Sequence, residues 1–257
     1  MSSLRRIVLA LTAHPDDAEL KCGGSLILLA QRGWKVHIAT LCAGDCGSAE
    51  LGPNKIAVLR RGEAEKAAAY VGGEYHCLGF QDVRVFEGDV CRALATALIR
   101  RVNPDFVITH FPQDYMSDHE VASATARAAV FCAPIINYAP GPCAVEPPTD
   151  GVVPLYYFTP IGGTDYLGRP IEPETIVDVS SVIDKKAEFL GQHASQREWL
   201  RKQNGIDQYI EEMKAWDAEI GRRAGVNYAE GFFAHKGHAY PRTPLLQEAL
   251  GELVREV

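Results

Sequence analysis

Two clusters of histidine and carboxylate stand out in this 257-residue sequence: Thr12-Ala13-His14-Pro15-Asp16-Asp17 and His110-Phe111-Pro112-Gln113-Asp114-Tyr115-Met116-Ser117-Asp118-His119. Neutral imidazole and carboxylate suit zinc, and three protein ligands with one position left open mark a catalytic rather than a structural site. His14, Asp17 and His119 supply that count, for one Zn2+ per chain. The same donors also accept iron or cobalt. Asp16 is left free to take the proton of a water that the metal has acidified, as that water attacks a carbonyl. This is the chemistry of metal-assisted amide hydrolysis. A blander explanation is that Asp16 and Asp17 cap the next helix, beside its positive N-terminal end. Capping does not explain two histidine-bearing clusters at separate strand ends.

Those clusters need elements to position them. Apolar runs at 6–13, 35–41, 75–78 and 105–110 read as strands, and segments 18–32, 54–70, 89–102 and 119–131 have helical spacing between them. This alternation predicts an α/β fold, Rossmann-like, with a mainly parallel sheet flanked by helices in a single domain over 1–257. Open sheets of this kind bind ligands beyond the carboxyl ends of their strands. The loops after Ala13, Leu41, Leu78 and His110 are therefore expected to converge. Residues 134–154 hold six prolines and read as a loop or lid; strands are expected at 155–159 and 175–179, helices at 183–192 and 207–223. The remainder, 225–257, reads as a C-terminal arm.

Composition excludes several classes. Lysine and arginine total 26 against 33 acidic residues, a net charge of −7, which argues against a nucleic-acid or anionic-membrane binder. Seven scattered cysteines form no disulfide framework and point to reduced thiols and a cytoplasmic location. Cys42 and Cys46 have no second Cys/His pair at metal-knuckle spacing. Arg5-Arg6 precedes an apolar run of only seven residues, too short for a signal peptide, and no run reaches membrane-spanning length. Gly23-Gly24 lacks the spacing of a dinucleotide fingerprint or P-loop, and no Gly-x-Ser-x-Gly elbow occurs.

The stretch Ala13-His14-Pro15-Asp16-Asp17 opening a helix, with Gly23-Gly24 after it, resembles the signature of the PIG-L/LmbE-like zinc deacetylases. The resemblance runs on through Arg60-Arg61-Gly62-Glu63, Leu78-Gly79-Phe80-Gln81-Asp82, Ser117-Asp118-His119, His193-Ala194-Ser195-Gln196 and Tyr228-Ala229-Glu230-Gly231-Phe232, nearly the whole chain. It implies a Rossmann-like domain that hydrolyses the N-acetyl group of a GlcNAc-containing small molecule, releasing acetate. By the match, His14, Asp17 and His119 are the zinc ligands, Asp16 is the general base, and Arg60 and Asp82 contact sugar hydroxyls. One departure stands out. Many relatives read His-Pro-Asp-His where this chain has Met116-Ser117-Asp118-His119, so an oxyanion-stabilising imidazole is missing. A thioether donates no hydrogen bond, and losing one oxyanion donor costs roughly 10²–10³ in rate. The replacement expected here is His238, supplied by a neighbouring subunit as in some relatives, with His235 and Tyr115 as the other candidates. A shared site of that kind implies a homo-oligomer, a trimer or hexamer. Two alternatives remain: an amidase for a different amide such as a thiol conjugate, and a catalytically weak metal- or sugar-binding protein. His37, His76 and His193 read as structural, and His110 as a supporting group near the site.

Overall fold

The computed structural model describes residues 5–139, 141, 146–197 and 208–256, so part of the proline-rich loop and the start of the helix expected at Asp207 lie outside the described residues. Strands β1 (Ile7–Thr12), β2 (Lys35–Cys42), β3 (Glu74–Phe80), β4 (Phe106–Thr109) and β5 (Leu155–Phe158) pair in parallel, in the spatial order β3-β2-β1-β4-β5. β1 and β4 are apolar runs covered on both faces, as parallel strands between helical layers require. Alternate residues feed two cores. Val8, Ala10, Val36 and Phe106 pack toward α1 (Asp17–Gln31), α2 (Pro53–Tyr70) and α5 (Ile183–Leu190). Leu9, Leu11, Leu41 and Val107 pack toward α3 (Asp89–Val102) and α4 (Ser117–Cys132).

The far half of the sheet differs from the sequence expectation. The segment read as an arm contains strand β7 (Ala229–Ala234), helix α7 (Leu245–Leu250) and strand β8 (Val254–Glu256). β7 is an interior strand, antiparallel to both β5 and β6 (Thr175–Asp178), and β8 closes the edge against β6. Glu230 and Gly231 hide β7 in the sequence, because a charge and a glycine break the apolar pattern of a buried strand.

Glu230 is buried for a local reason. Helix α1 kinks at Cys22 (φ −137°), which frees backbone N–H groups in mid-helix. The Glu230 carboxylate accepts them: Gly24 N–H at 2.7 Å and Ser25 N–H at 2.8 Å. Position 24 must be glycine, since a Cβ there would sit 2.6 Å from Val179 Cγ1. The Gly23-Gly24 pair thus serves packing. Helix α6 (Gln208–Ala224) lies against β7 and carries side chains to the site described below. No helix among the described residues is long and apolar enough to cross a membrane.

At the opposite sheet edge, His37 Nδ1 and His76 Nε2 share a hydrogen bond of 2.9 Å between β2 and β3. Burial, then the neighbouring His37, pushes His76 down to about 4, and burial likewise lowers His37. The unfolded chain, with histidines near 6.5, binds more protons than the folded one between these values. Stability should therefore be fully present above pH 6.5 and fall as pH drops toward 4. Urea midpoints at pH 7 and pH 5 should differ less in a His37→Val/His76→Val protein than in wild type. Equal differences in the two proteins would show that the pair does not titrate as stated.

Candidate active site

The two clusters meet at the carboxyl ends of β1 and β4. Asp17 opens α1, and its Oδ2 turns back to accept the His14 backbone N–H at 2.7 Å. Asp16, at the N-cap position, makes no side-chain cap hydrogen bond, so capping does not account for the pair. Its backbone is left-handed (φ 104°), a conformation asparagine and aspartate tolerate better than most residues.

His14 Nδ1 lies 3.6 Å from Asp17 Oδ2, and His119 Nε2 lies 3.5 Å from Asp17 Oδ1. The far nitrogen of each ring rests on another carboxylate: His14 Nε2 on Asp118 Oδ2 at 3.0 Å, His119 Nδ1 on Asp114 Oδ1 at 2.9 Å. Carboxylate-held imidazoles of this kind are the usual support for metal ligands, because they fix ring orientation and tautomer. One donor atom from each of His14, Asp17 and His119 lies within 4.8 Å of the others, and all three residues are buried. Two overlapping sets, His14 with Cys42 and Asp82, and His110 with Asp114 and His119, also meet that distance. In the first of them Asp82 is already filled by backbone N–H groups, whereas His14, Asp17 and His119 face one another through Nδ1, Oδ1 and Nε2, the atoms their supporting hydrogen bonds leave over.

The electrostatics fit a cation. Burial opposes charge on His14, yet Asp118 and Asp17 outweigh it and raise the imidazole to about 10. Burial would raise Asp17, but His119 and His110 hold it well below the usual carboxylate range. Positive charge is favoured where the three donors face one another. His110 stacks on His119 with ring centroids 4.1 Å apart, and its Nε2 lies 3.1 Å from both Asp17 Oδ2 and the Ala13 backbone nitrogen. Burial and the neighbouring His119 push it down to about 4, so it supports the site as a neutral ring.

Asp16 sits beside this set. Its Oδ2 accepts a 2.6 Å hydrogen bond from the Tyr209 hydroxyl and faces Arg60 Nη2 at 3.3 Å, while burial raises its pKa. Arg60 Nη2 also donates to Pro15 O at 2.7 Å. A Cβ on Gly47 would lie 2.4 Å from Arg60 Nη1, so the loop after β2 must be bare there for the guanidinium to fit. Asp82 receives the Gly44 and Cys46 N–H groups, both at 2.9 Å, and thereby shapes that loop. Both Arg60 and Asp82 line a cavity of about 380 Å³ over the site, together with Tyr115, Met116, Tyr209 and Trp216.

His238 is elsewhere. β7 runs antiparallel to β5, so His235, whose N–H bonds Leu155 O, lies beside the start of β5, at the sheet end opposite His14. His235 pairs with the Tyr157 hydroxyl at 2.7 Å, and His238 is exposed on the turn that follows. Neither lines the cavity over His14. A second cavity of about 410 Å³ does open beside His235, but no metal-binding set of three faces it among the described residues. Within its own chain, therefore, His238 does not reach the His14 site. Tyr115 is the alternative donor that lines the cavity, its ring edge-on to His119 at 5.5 Å.

Sequence reading missed Tyr209 and gave no role to Asp114 or Asp118. The two aspartates were within reach, since carboxylates flanking a ligand histidine are candidates to hold its second nitrogen. Nothing in the sequence ties Tyr209 to Asp16.

An α/β sheet with two imidazoles and a carboxylate within ligating distance of one another, and a separate buried aspartate, at its carboxyl edge is the kind of site that could hold a metal ion. Comparison with known proteins narrows this. Residues 9–130 match the PIG-L family, described as GlcNAc-PI de-N-acetylase. The chain is 32% identical over 196 residues to 4-oxalmesaconate hydratase of Pseudomonas putida, covering 72% of each protein. It is 29% identical over 210 residues to a probable N-acetyl-alpha-D-glucosaminyl L-malate deacetylase 2 of Bacillus cereus, covering 76% of this chain and 86% of that one. Its fold superposes on N,N'-diacetylchitobiose deacetylase from Pyrococcus horikoshii with a TM-score of 0.76, 23% identity, and coverage of 93% and 88%. The chain belongs to the PIG-L family and is an enzyme.

Proposed function

We propose that the protein is a zinc-dependent N-deacetylase, removing the acetyl group from a GlcNAc-containing small molecule and releasing acetate. The observation that carries the reading is the convergence of His14, Asp17 and His119 beside a separately held Asp16. His14, Asp17 and His119 would hold one metal ion, which when bound polarises the acetamide carbonyl and acidifies the attacking water. Asp16 takes the water's proton on Oδ1, the oxygen that neither Arg60 nor Tyr209 occupies. The same carboxyl returns that proton to the departing amine. Arg60 keeps Asp16 in place at the cavity wall where a sugar hydroxyl would meet it, with Asp82 shaping the loop alongside. Tyr115 is the hydroxyl donor within the chain for the developing oxyanion. His238 could serve only from a second copy, so its role belongs with a homo-oligomer, a trimer or hexamer acting in the cytoplasm.

The similarity to a hydratase favours a second reading, water addition to an unsaturated acid at the same centre. The charges lining the cavity speak against it. The cations among the described lining residues are Arg60, already paired with Asp16, and the imidazoles of His14 and His119, already held by Asp118, Asp17 and Asp114. A substrate bearing several carboxylates would find no unpaired cation among these side chains.

The test is acetate release from N-acetylglucosamine glycosides by zinc-loaded protein, run beside loss of 4-oxalmesaconate. His119→Ala should lose both its metal, near one per chain in wild type, and its activity. Turnover of 4-oxalmesaconate alone would replace the first reading with the second, and full metal content and activity in His119→Ala would refute the ligand set.

A further inference from the structure

Helix α6 turns three side chains toward the cavity, Tyr209, Glu212 and Trp216, at spacings of three and four, while Met213, Asp217 and Ile220 are buried beneath it. Tyr209 is committed to Asp16. Glu212 and Trp216 have no part in the chemistry described so far. Trp216 is half-buried and packs with Leu20, Tyr209, Met213 and Ile161. The buried Lys21 Nζ lies 5.4 Å from its ring centroid and donates to Pro160 O at 3.2 Å, which pins the cation against the indole. The ring is therefore braced from the protein side and open on the cavity side. Glu212, one turn earlier, is exposed at the same wall.

A flat, preplaced aromatic surface beside a carboxylate suits one chemical class well. A pyranose ring has an apolar face of C–H groups, which an aromatic face attracts, and a rim of hydroxyls, which a carboxylate accepts in charge-assisted hydrogen bonds. Pockets commonly divide the work in this way, apolar walls giving affinity and a few polar groups giving orientation. An acyclic acetamide offers no such face, and a polycarboxylate would be repelled by Glu212.

We propose that Trp216 is the specificity-determining platform of the site, stacking on the ring of an uncharged N-acetylhexosamine glycoside whose hydroxyls Glu212 accepts. The assignment rests on the deacetylase reading above and names the substrate class of that same site.

The experiment compares methyl N-acetylglucosaminide with N-acetylethanolamine, an uncharged acyclic acetamide, in wild type, Trp216→Phe and Trp216→Ala. Trp216→Ala should lower the ratio of the two kcat/KM values by roughly tenfold or more, mainly by raising KM for the sugar. Metal content should stay unchanged, and Trp216→Phe should recover most of the ratio. An unchanged ratio, or an equal loss on both substrates, would overturn the platform. If wild type released acetate from neither compound, the deacetylase reading would fall, and binding would still judge the platform. Methyl N-acetylglucosaminide should quench tryptophan fluorescence in wild type and not in Trp216→Phe, and indistinguishable quenching in the two proteins would refute it.

Discussion

Replacing Asp16 by asparagine should leave the metal in place and lower turnover by about 100-fold or more, because a carboxamide cannot take the attacking water's proton. Asparagine is the informative substitution for a backbone reason. Position 16 is left-handed (φ 104°), where asparagine and aspartate are the side chains best tolerated, whereas alanine would add strain to the chemical loss. The amide oxygen can still accept the Tyr209 hydroxyl that now bonds Oδ2 at 2.6 Å, so the side chain keeps its anchor. What disappears is a base whose proton affinity burial raises and whose second oxygen is held by Arg60 and Tyr209. The measurement pairs metal analysis with kcat. Near wild-type turnover in a metal-replete Asp16→Asn protein would remove Asp16 from the role of base.

The parallel half of the sheet was legible in the sequence because its residues obey one rule each. Short continuous apolar runs such as residues 7–11 are of strand length and suit a strand covered on both faces, and glycine and proline punctuate the helices between them. Helix α3 spans Asp89–Val102 as expected, and the other boundaries of this half move by a residue or two. The clustering of His14, Asp17 and His119 followed from strand ends alone. Legibility failed where a residue's environment is set by distant chain. Glu230 reads as a break in a strand until the kink of α1, some two hundred residues away, presents it with two N–H groups. Tyr209 reads as an ordinary helical tyrosine until α6 folds over Asp16. The segment from 225 on reads as a loose arm, whereas it contains an antiparallel strand that carries His238 to the other end of its own sheet.

The network behind the site should fail sharply when the cation bridging its two carboxylates is removed. Lys186 is fully buried, with Nζ 2.6 Å from Asp217 Oδ2 and 2.7 Å from Glu230 Oε1. Burial would lower its pKa, but the two carboxylates outweigh that and raise it, so it is charged in the folded protein. Lys186→Met is close in volume yet strands two buried carboxylates side by side. Breaking a buried pair in this way costs about 3–5 kcal/mol, and for a chain of this size that corresponds to a Tm lower by roughly 6–20 °C. Asp217 is already raised to about 6 by burial, with Lys186 opposing the rise, so in the variant this carboxyl should titrate higher still. Acids whose folded pKa lies above the unfolded value stabilise below the unfolded value and lose that contribution as pH rises. The loss should therefore be larger at pH 8 than at pH 5. Adding Asp217→Leu removes one stranded carboxyl and should recover part of the stability, a coupling that only contacting residues show. Glu230 must stay, because its oxygens hold the kink of the helix whose first residue is Asp17. A melting temperature within about 2 °C of wild type for Lys186→Met, a change below roughly 1 kcal/mol, would mean that the cation is not what holds the buried carboxylates.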